Sequence, residues 1–336
     1  MNDVTVIGAG PIGLAIAWRC ASRGMRVSVV DDGRRGAAHA SAGMLGPVAE
    51  AYFGEEPLTR LLVESAKRWP AFAAELGEDV GYRTDGTLIV ALTGDDYAEA
   101  ERLWTYQRDL GLRVEKVRPR DVEPLLSPRV RGGAFTDDHQ VDPRRLVPAL
   151  RRAALAAGTK IGRHRENAGS TVIAAGCGSA ALTGLPVRPV KGQILRLRAP
   201  DGRPPGFRHV IRGYADGRHV YLVPRLDGEV VVGATVEERT DTLVTAGAVL
   251  DLLRAAADLV PDLVEYELAE AIAGHRPGTP DNMPILGFHG PGTVVATGHH
   301  RHGVVLTPVT ADLIADLIET GEPDPMLAPF TPARFT

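Results

Sequence analysis

The sequence predicts an α/β plus α+β protein: a Rossmann-type βαβ domain on a parallel sheet, joined to a second domain built on an antiparallel sheet. Three observations predict it. The first thirty residues alternate strand, glycine-rich turn, helix and strand. Helix and strand patterns alternate at both ends of the chain, whereas the middle is rich in strands. The 336 residues are enough for two cores, at roughly 150 residues per domain.

The elements follow in order. Residues 4–7 are β-branched and uncharged, as a strand covered on both faces should be. Gly8-Ala9-Gly10-Pro11-Ile12-Gly13 comes next, then an apolar helix-forming run at 14–21, a stop at Gly24 and a second β-branched run at 27–30. The glycines permit a tight turn and let bare backbone approach a pyrophosphate, and the helix that follows turns unpaired N–H groups towards that anion. A carboxylate ending the second strand would accept hydrogen bonds from two ribose hydroxyls. Asp31 lies 18 residues after Gly13, near the ~20 expected of a dinucleotide site, and is preferred to Asp32 on that spacing. A doubly wound turn that binds nothing would carry the same glycines, and the fingerprint does not choose between NAD and FAD.

The run 37–47 is too small and glycine-rich for a stable helix or strand, and suits backbone lying against a flat ligand or a plain loop. Helices are expected at 57–76, at 95–110 with Asp95 or Asp96 as cap, and at 144–157 with a stop at Gly158. Strands are expected at 86–92, 171–176, 187–197, 220–224, 230–234, 269–273 and 294–298. Two more helices fall at 245–260 and 308–320, the latter ended by Gly321. This pattern divides the chain into a discontinuous nucleotide domain (1–80, 137–184 and 271–336) and a substrate domain (81–136 and 185–270).

Composition narrows the function classes. The chain is 44% hydrophobic and 24% charged, which is ordinary for a globular protein. Its net charge of −4 argues against a nucleic-acid partner. Cys20 and Cys177 are the only cysteines, too few for a disulfide framework or a four-thiolate metal site, and no metal is expected. Of the 38 basic residues 34 are arginine, so any single arginine carries little meaning by type alone. No apolar run reaches the ~18–20 residues of a membrane span, and Met1-Asn2-Asp3-Val4 lacks a basic leader, so a cytoplasmic protein is expected. Self-association is left open.

Eight blocks in chain order carry a resemblance. They are the turn 8–13, Ala40-Ser41-Ala42-Gly43-Met44-Leu45, Asp138-His139-Gln140-Val141-Asp142-Pro143, Ala174-Ala175-Gly176 and Pro189-Val190-Lys191-Gly192-Gln193. His219-Val220-Tyr221-Leu222-Val223-Pro224-Arg225, Arg276-Pro277-Gly278-Thr279-Pro280-Asp281 and Gly298-His299-His300-Arg301-His302-Gly303-Val304 complete them. With these the sequence resembles the FAD-dependent amine and amino-acid oxidases of the D-amino-acid oxidase type. Within that family it is most similar to the glycine oxidases of thiamine biosynthesis.

The resemblance implies a non-covalent FAD with its flavin at the domain interface. Gly8, Gly10, Pro11, Ile12, Gly13, Asp31 and Asp32 would serve the dinucleotide. Ala42, Gly43 and Met44 would line the flavin, and Ala175 and Gly176 would also bind the cofactor. The loop His299, His300, Arg301, His302, Gly303, Val304 and Val305 would wrap its pyrimidine edge, and a helix starting just after Gly303 would aim its positive end there. Arg276 matches the family's substrate-carboxylate arginine, Tyr221 the tyrosine that helps hold that carboxylate, and Arg301 a second arginine near substrate. His219, two residues from Tyr221 on the same strand face, would border the pocket. The implied reaction oxidises glycine to its imine, and so to glyoxylate and ammonia, with molecular oxygen reduced to hydrogen peroxide, for the thiazole branch of thiamine synthesis.

Two departures stand out. Residues 158–171 are short, with only 160–162 strand-like before the polar run 163–167, so no adenine-contacting residue is assigned. Cys177 or Gly178 stands where the family favours a bulky side chain. A covalent flavin is not expected, because no cysteine follows Cys177 and His39 is offset by one from the linked relatives. The rival readings are a sarcosine or D-amino-acid oxidase or dehydrogenase, a tRNA-modifying relative, and a flavin binder without turnover.

Overall fold

The glycine turn sets how the chain begins. β1 (Asp3–Ile7) leads through it into α1 (Pro11–Ser22), which starts three residues before the apolar run because Pro11 takes the first helical position. There its missing N–H and fixed φ cost nothing. β2 (Arg26–Val30) closes the βαβ unit. The structure is a computed structural model that describes residues 3–166 and 168–335. Met1 and Asn2, and Asn167 of the polar run, lie outside the described residues.

The small-residue block forms one 3-10 turn and then β3 (Met44–Leu45). α2 (Glu56–Glu75), β4 (Thr87–Ala91) and α3 (Gly94–Asp109) follow. Thr93, rather than Asp95 or Asp96, caps α3: its hydroxyl accepts from the Asp96 amide at 3.1 Å while the Asp96 carboxylate accepts from the Thr93 amide at 3.0 Å. Next come β5 (Glu115–Val117), α4 (Pro119–Val122), β6 (Gly132–Thr136), β7 (His139–Gln140), α5 (Pro143–Ala156), β8 (Lys160–Gly162), β9 (Ser170–Ile173) and α6 (Ser179–Thr183). The strand-rich middle supplies β10 (Arg188–Arg198), β11 (Val210–Ala215), β12 (Arg218–Pro224) and β13 (Glu229–Gly233), covered by α7 (Ala246–Leu259). β14 (Glu267–Gly278), β15 (Ile285–Phe288), β16 (Thr293–Thr297) and α8 (Thr307–Thr320) end the fold.

One sheet runs β15-β16-β9-β1-β2-β8, parallel except for β15. The other runs β14-β10-β13-β12-β11-β4-β6-β5 and is antiparallel except for the β4–β11 pair. β14 crosses the expected boundary at 271 without a break and lies wholly in this second sheet. α1, α2, α5 and α8 bury Leu14, Leu61, Trp69, Leu150 and Ile314 in one core, and α7 packs Leu252 and Leu259 against Leu195, Leu222 and Val232 in another. Among the described residues no helix is long and apolar enough to cross a membrane.

Candidate active site

Four neighbouring parallel strands (β16, β9, β1 and β2) must end on the same edge of their sheet. That edge therefore collects Gly8 to Gly13, Asp31, Ala175, Gly176 and the loop that begins at Gly298, where ligands of open parallel sheets bind. The three glycines have separate reasons. Gly8 holds φ +116 with its Cα face 2.4 Å from the Ala174 carbonyl oxygen, measured to where a Cβ would stand. A Cβ on Gly13 would sit 2.0 Å from the Gly8 oxygen, so its absence lets α1 approach β1. A Cβ on Gly10 would meet nothing within 4 Å, and no side chain caps the helix there. Bare backbone and free N-terminal amides at an open position fit a pyrophosphate.

At the end of β2 the Asp31 carboxylate accepts from the Gly33 amide at 2.9 Å and from Arg151 at 2.6 Å. Burial alone would raise its pKa, but these donors hold it below the ordinary carboxylate value. Asp32 turns outward with 66% of its side chain exposed, accepts from the Arg34 amide at 2.9 Å and pairs with the Arg34 guanidinium at 3.6 Å.

The second cluster forms on one face of the eight-stranded sheet. Tyr221 on β12 stands in register with Gly233 on β13 and Arg212 on β11. A Cβ on Gly233 would lie 2.4 Å from the Tyr221 hydroxyl, and one on Gly192 of β10 would lie 2.3 Å from Arg276 Nη1. Phenol and guanidinium therefore rest on bare backbone and face each other. Arg276 lies within β14, which runs on past the apolar stretch to Gly278, and it donates to the Thr235 carbonyl at 3.1 Å. Among the described residues no carboxylate pairs with it. Burial lowers its pKa against the opposing pull of Tyr221, and burial raises that of Tyr221 against Arg276 and Arg212.

The loop after β16 joins the two clusters. Arg301 donates to Glu50 at 2.7 Å and approaches Glu55 at 3.5 Å. The other Glu50 oxygen pairs with Arg212. Glu50 is held there by Asp138, whose carboxylate accepts from the amides of Val48 at 3.0 Å and Ala49 at 2.7 Å. His299 bonds Thr310 Oγ1 at 3.1 Å through Nε2, while His300 Nδ1, His302 Nε2 and His275 Nε2 on nearby β14 are buried without a partner among the described residues. Polar atoms so placed ask for a ligand that can bond them, and with the bare backbone at Gly10 they fit a flavin dinucleotide along this edge.

Val304 and Val305 are core residues, and the Val305 carbonyl accepts from Ser65 at 2.6 Å and from Trp69 at 2.9 Å. The expected helix does not start after Gly303. α8 begins at Thr307, because Pro308 belongs in a first turn, and its Val309 amide is turned to Ser65 Oγ at 3.4 Å. The helix end thus docks on α2 through this amide.

Among the expected residues, Arg276, Tyr221 and Arg301 come together, and Ala42, Gly43 and Met44 lie in the segment that leads to Glu50. Arg225 reaches the Ala42 carbonyl. His219 stands apart: its side chain is 62% exposed, pairs with Glu99 at 3.2 Å and packs on Tyr214. Cys177 lies under β14, its thiol 3.7 Å from the His275 carbonyl. Glu50, Glu55 and Arg212 were not legible as site residues in the sequence.

The chain is similar to known proteins over its whole length. Glycine oxidase of Geobacillus kaustophilus is 34% identical over 99% of this chain and 97% of its own, and its crystal structure superposes with a TM-score of 0.88 over 100% of this chain and 99% of that one. The bifunctional protein ThiO/ThiG of Trichormus variabilis is 34% identical over 99% of this chain, which spans 55% of that longer protein. Iminodiacetate oxidase of Chelativorans sp. BNC1 is 26% identical, with a TM-score of 0.88 and 98% of each chain covered. The family of FAD dependent oxidoreductases known as DAO matches residues 3–317. That match, with a relative 34% identical over 99% of the chain, makes the chain a member of that family, with FAD as its cofactor.

Proposed function

We propose that the chain oxidises glycine, or another small α-amino acid, to the imine, which water converts to glyoxylate and ammonia, with oxygen taking the electrons as hydrogen peroxide. Similarity to glycine oxidase and to ThiO/ThiG supports this substrate and a place in thiamine synthesis. One observation carries the reading at the site: Arg276 is a half-buried guanidinium that bonds the Thr235 carbonyl and has no carboxylate partner among the described residues. A partly desolvated cation left so is costly, and a carboxylate from outside relieves the cost with two parallel charge-assisted hydrogen bonds.

FAD, when bound along the glycine edge, supplies the acceptor for the hydride that leaves the substrate Cα. The protein's own residues do the rest. Arg276 grips the carboxylate and Tyr221 donates its hydroxyl to it, which fixes two oxygens and so the direction of Cα. Gly192 and Gly233 keep the floor under both side chains clear. Asp31 takes the ribose hydroxyls, Ala42 to Met44 with Ala175 and Gly176 border the ring, and His300 and His302 offer ring nitrogens to its polar edge. FAD is held without a covalent link, and the protein works in the cytoplasm. Oxygen uptake with glycine, sarcosine, D-alanine and D-proline tests the proposal. Turnover led by glycine supports it, and no turnover with any of the four refutes it.

A further inference from the structure

The site holds three guanidinium groups, on Arg212, Arg276 and Arg301, and two carboxylates, on Glu50 and Glu55. Resting on the substrate reading above, we infer that Glu50 confines the site to substrates with a single carboxylate, by occupying the two guanidinium groups that would otherwise hold a second one.

The geometry supports each part. Arg212 and Tyr221 are cross-strand partners, so the Arg212 side chain rises from the sheet beside the phenol that faces Arg276. It keeps 28% of its side-chain surface accessible, and Arg301 keeps 35%, so both can be reached by a small molecule. Glu50 is only 12% accessible and gives one oxygen to each of them. Glu55 adds a weaker contact to Arg301 at 3.5 Å. The titratable neighbours packed against Arg212 are Glu50, with which it pairs, and Tyr214, Tyr221 and Arg301; burial lowers its pKa to about 10, so it stays cationic at neutral pH. Counting charge, three cations against two anions leave one positive charge, and it lies on Arg276. A second substrate carboxylate would have to displace Glu50, whose loop is anchored by the two Asp138 hydrogen bonds.

The matched probes are sarcosine and iminodiacetate, both N-substituted glycines, which carry a methyl and a carboxymethyl group on nitrogen. The quantity read is the ratio of kcat/KM for iminodiacetate to that for sarcosine. Glu50→Gln keeps the shape and removes the charge, and it should raise this ratio by about tenfold or more, the worth of one charge-assisted hydrogen bond. Arg212→Met in the Glu50→Gln background should return most of the gain. An unchanged ratio in Glu50→Gln, or a gain that survives Arg212→Met, would overturn the inference. If no amino acid reduces the flavin, the substrate reading fails separately. The inference is then judged from the shift of the bound flavin's absorbance by acetate and malonate. A malonate response that appears in Glu50→Gln and vanishes with Arg212→Met sustains it, and identical responses in all three proteins defeat it.

Discussion

Arg276 shows how little of a residue's role lies in its type. It is one of 34 arginines, and what sets it apart is a half-buried place on β14 with a carbonyl and a phenol as its partners and no carboxylate among the described residues. Replacing it with alanine removes two charge-assisted hydrogen bonds to the substrate, so KM for glycine should rise by about 10² or more. The yellow cofactor should stay bound, as steady-state kinetics and a visible spectrum will report. Gly192→Ala tests the same guanidinium from beneath. Its methyl would stand 2.3 Å from Nη1, so the guanidinium must shift, and KM should rise by about tenfold with the melting temperature nearly unchanged. Residues of the local motif were legible because turn, helix and acid fall within thirty positions. Glu50 and Arg212 were not, since the pair forms across 162 residues and Glu50 meets Arg301 across 251.

Elements were legible where one pattern ruled them and were missed where side chains broke it. β11 escaped because Arg212 and Gly213 interrupt its apolar run. The available signal was Asp216-Gly217, a two-residue turn with φ of 56 and 72, the type that joins β11 to β12. That turn is tied to α3, since the Asp96 carboxylate accepts from Asp216 N at 2.8 Å and Gly217 N at 2.9 Å as well as from Thr93. Burial would raise the Asp96 pKa, yet these amides hold it below the ordinary value. Its contribution is therefore present above the unfolded carboxylate pKa and is lost as pH falls through the lower folded one. Asp96→Ala should cost about 1–3 kcal/mol in chemical denaturation at neutral pH. The wild-type and variant stabilities should converge in acid. β8, by contrast, is the three-residue strand that 160–162 suggested, and among the described residues no further strand intervenes before β9.

At the scale of the molecule, the site exists because two sheets meet. The parallel sheet brings its strand ends to one edge, the antiparallel sheet offers one face, and the loop from Gly298 to Leu306 spans both. That loop gathers His299, His300 and His302. Burial lowers the first two to about 3 and about 4, and drives the third well below the ordinary histidine value of 6.5. The unfolded chain then binds protons that the folded one does not, so apoprotein stability should fall as pH drops from about 7 towards 4. The slope nears 1.4 kcal/mol per pH unit for each histidine. Denaturation midpoints across that range check it, and His302→Asn should flatten the slope by about one proton. The central claim is that FAD along the glycine edge faces an amino acid pinned by Arg276. Anaerobic titration of the FAD-loaded protein with glycine, followed in the visible spectrum, tests it most directly. The flavin should bleach in the wild-type protein, and only at far higher glycine in Arg276→Ala. A spectrum that neither glycine nor sarcosine, D-alanine or D-proline alters would contradict it.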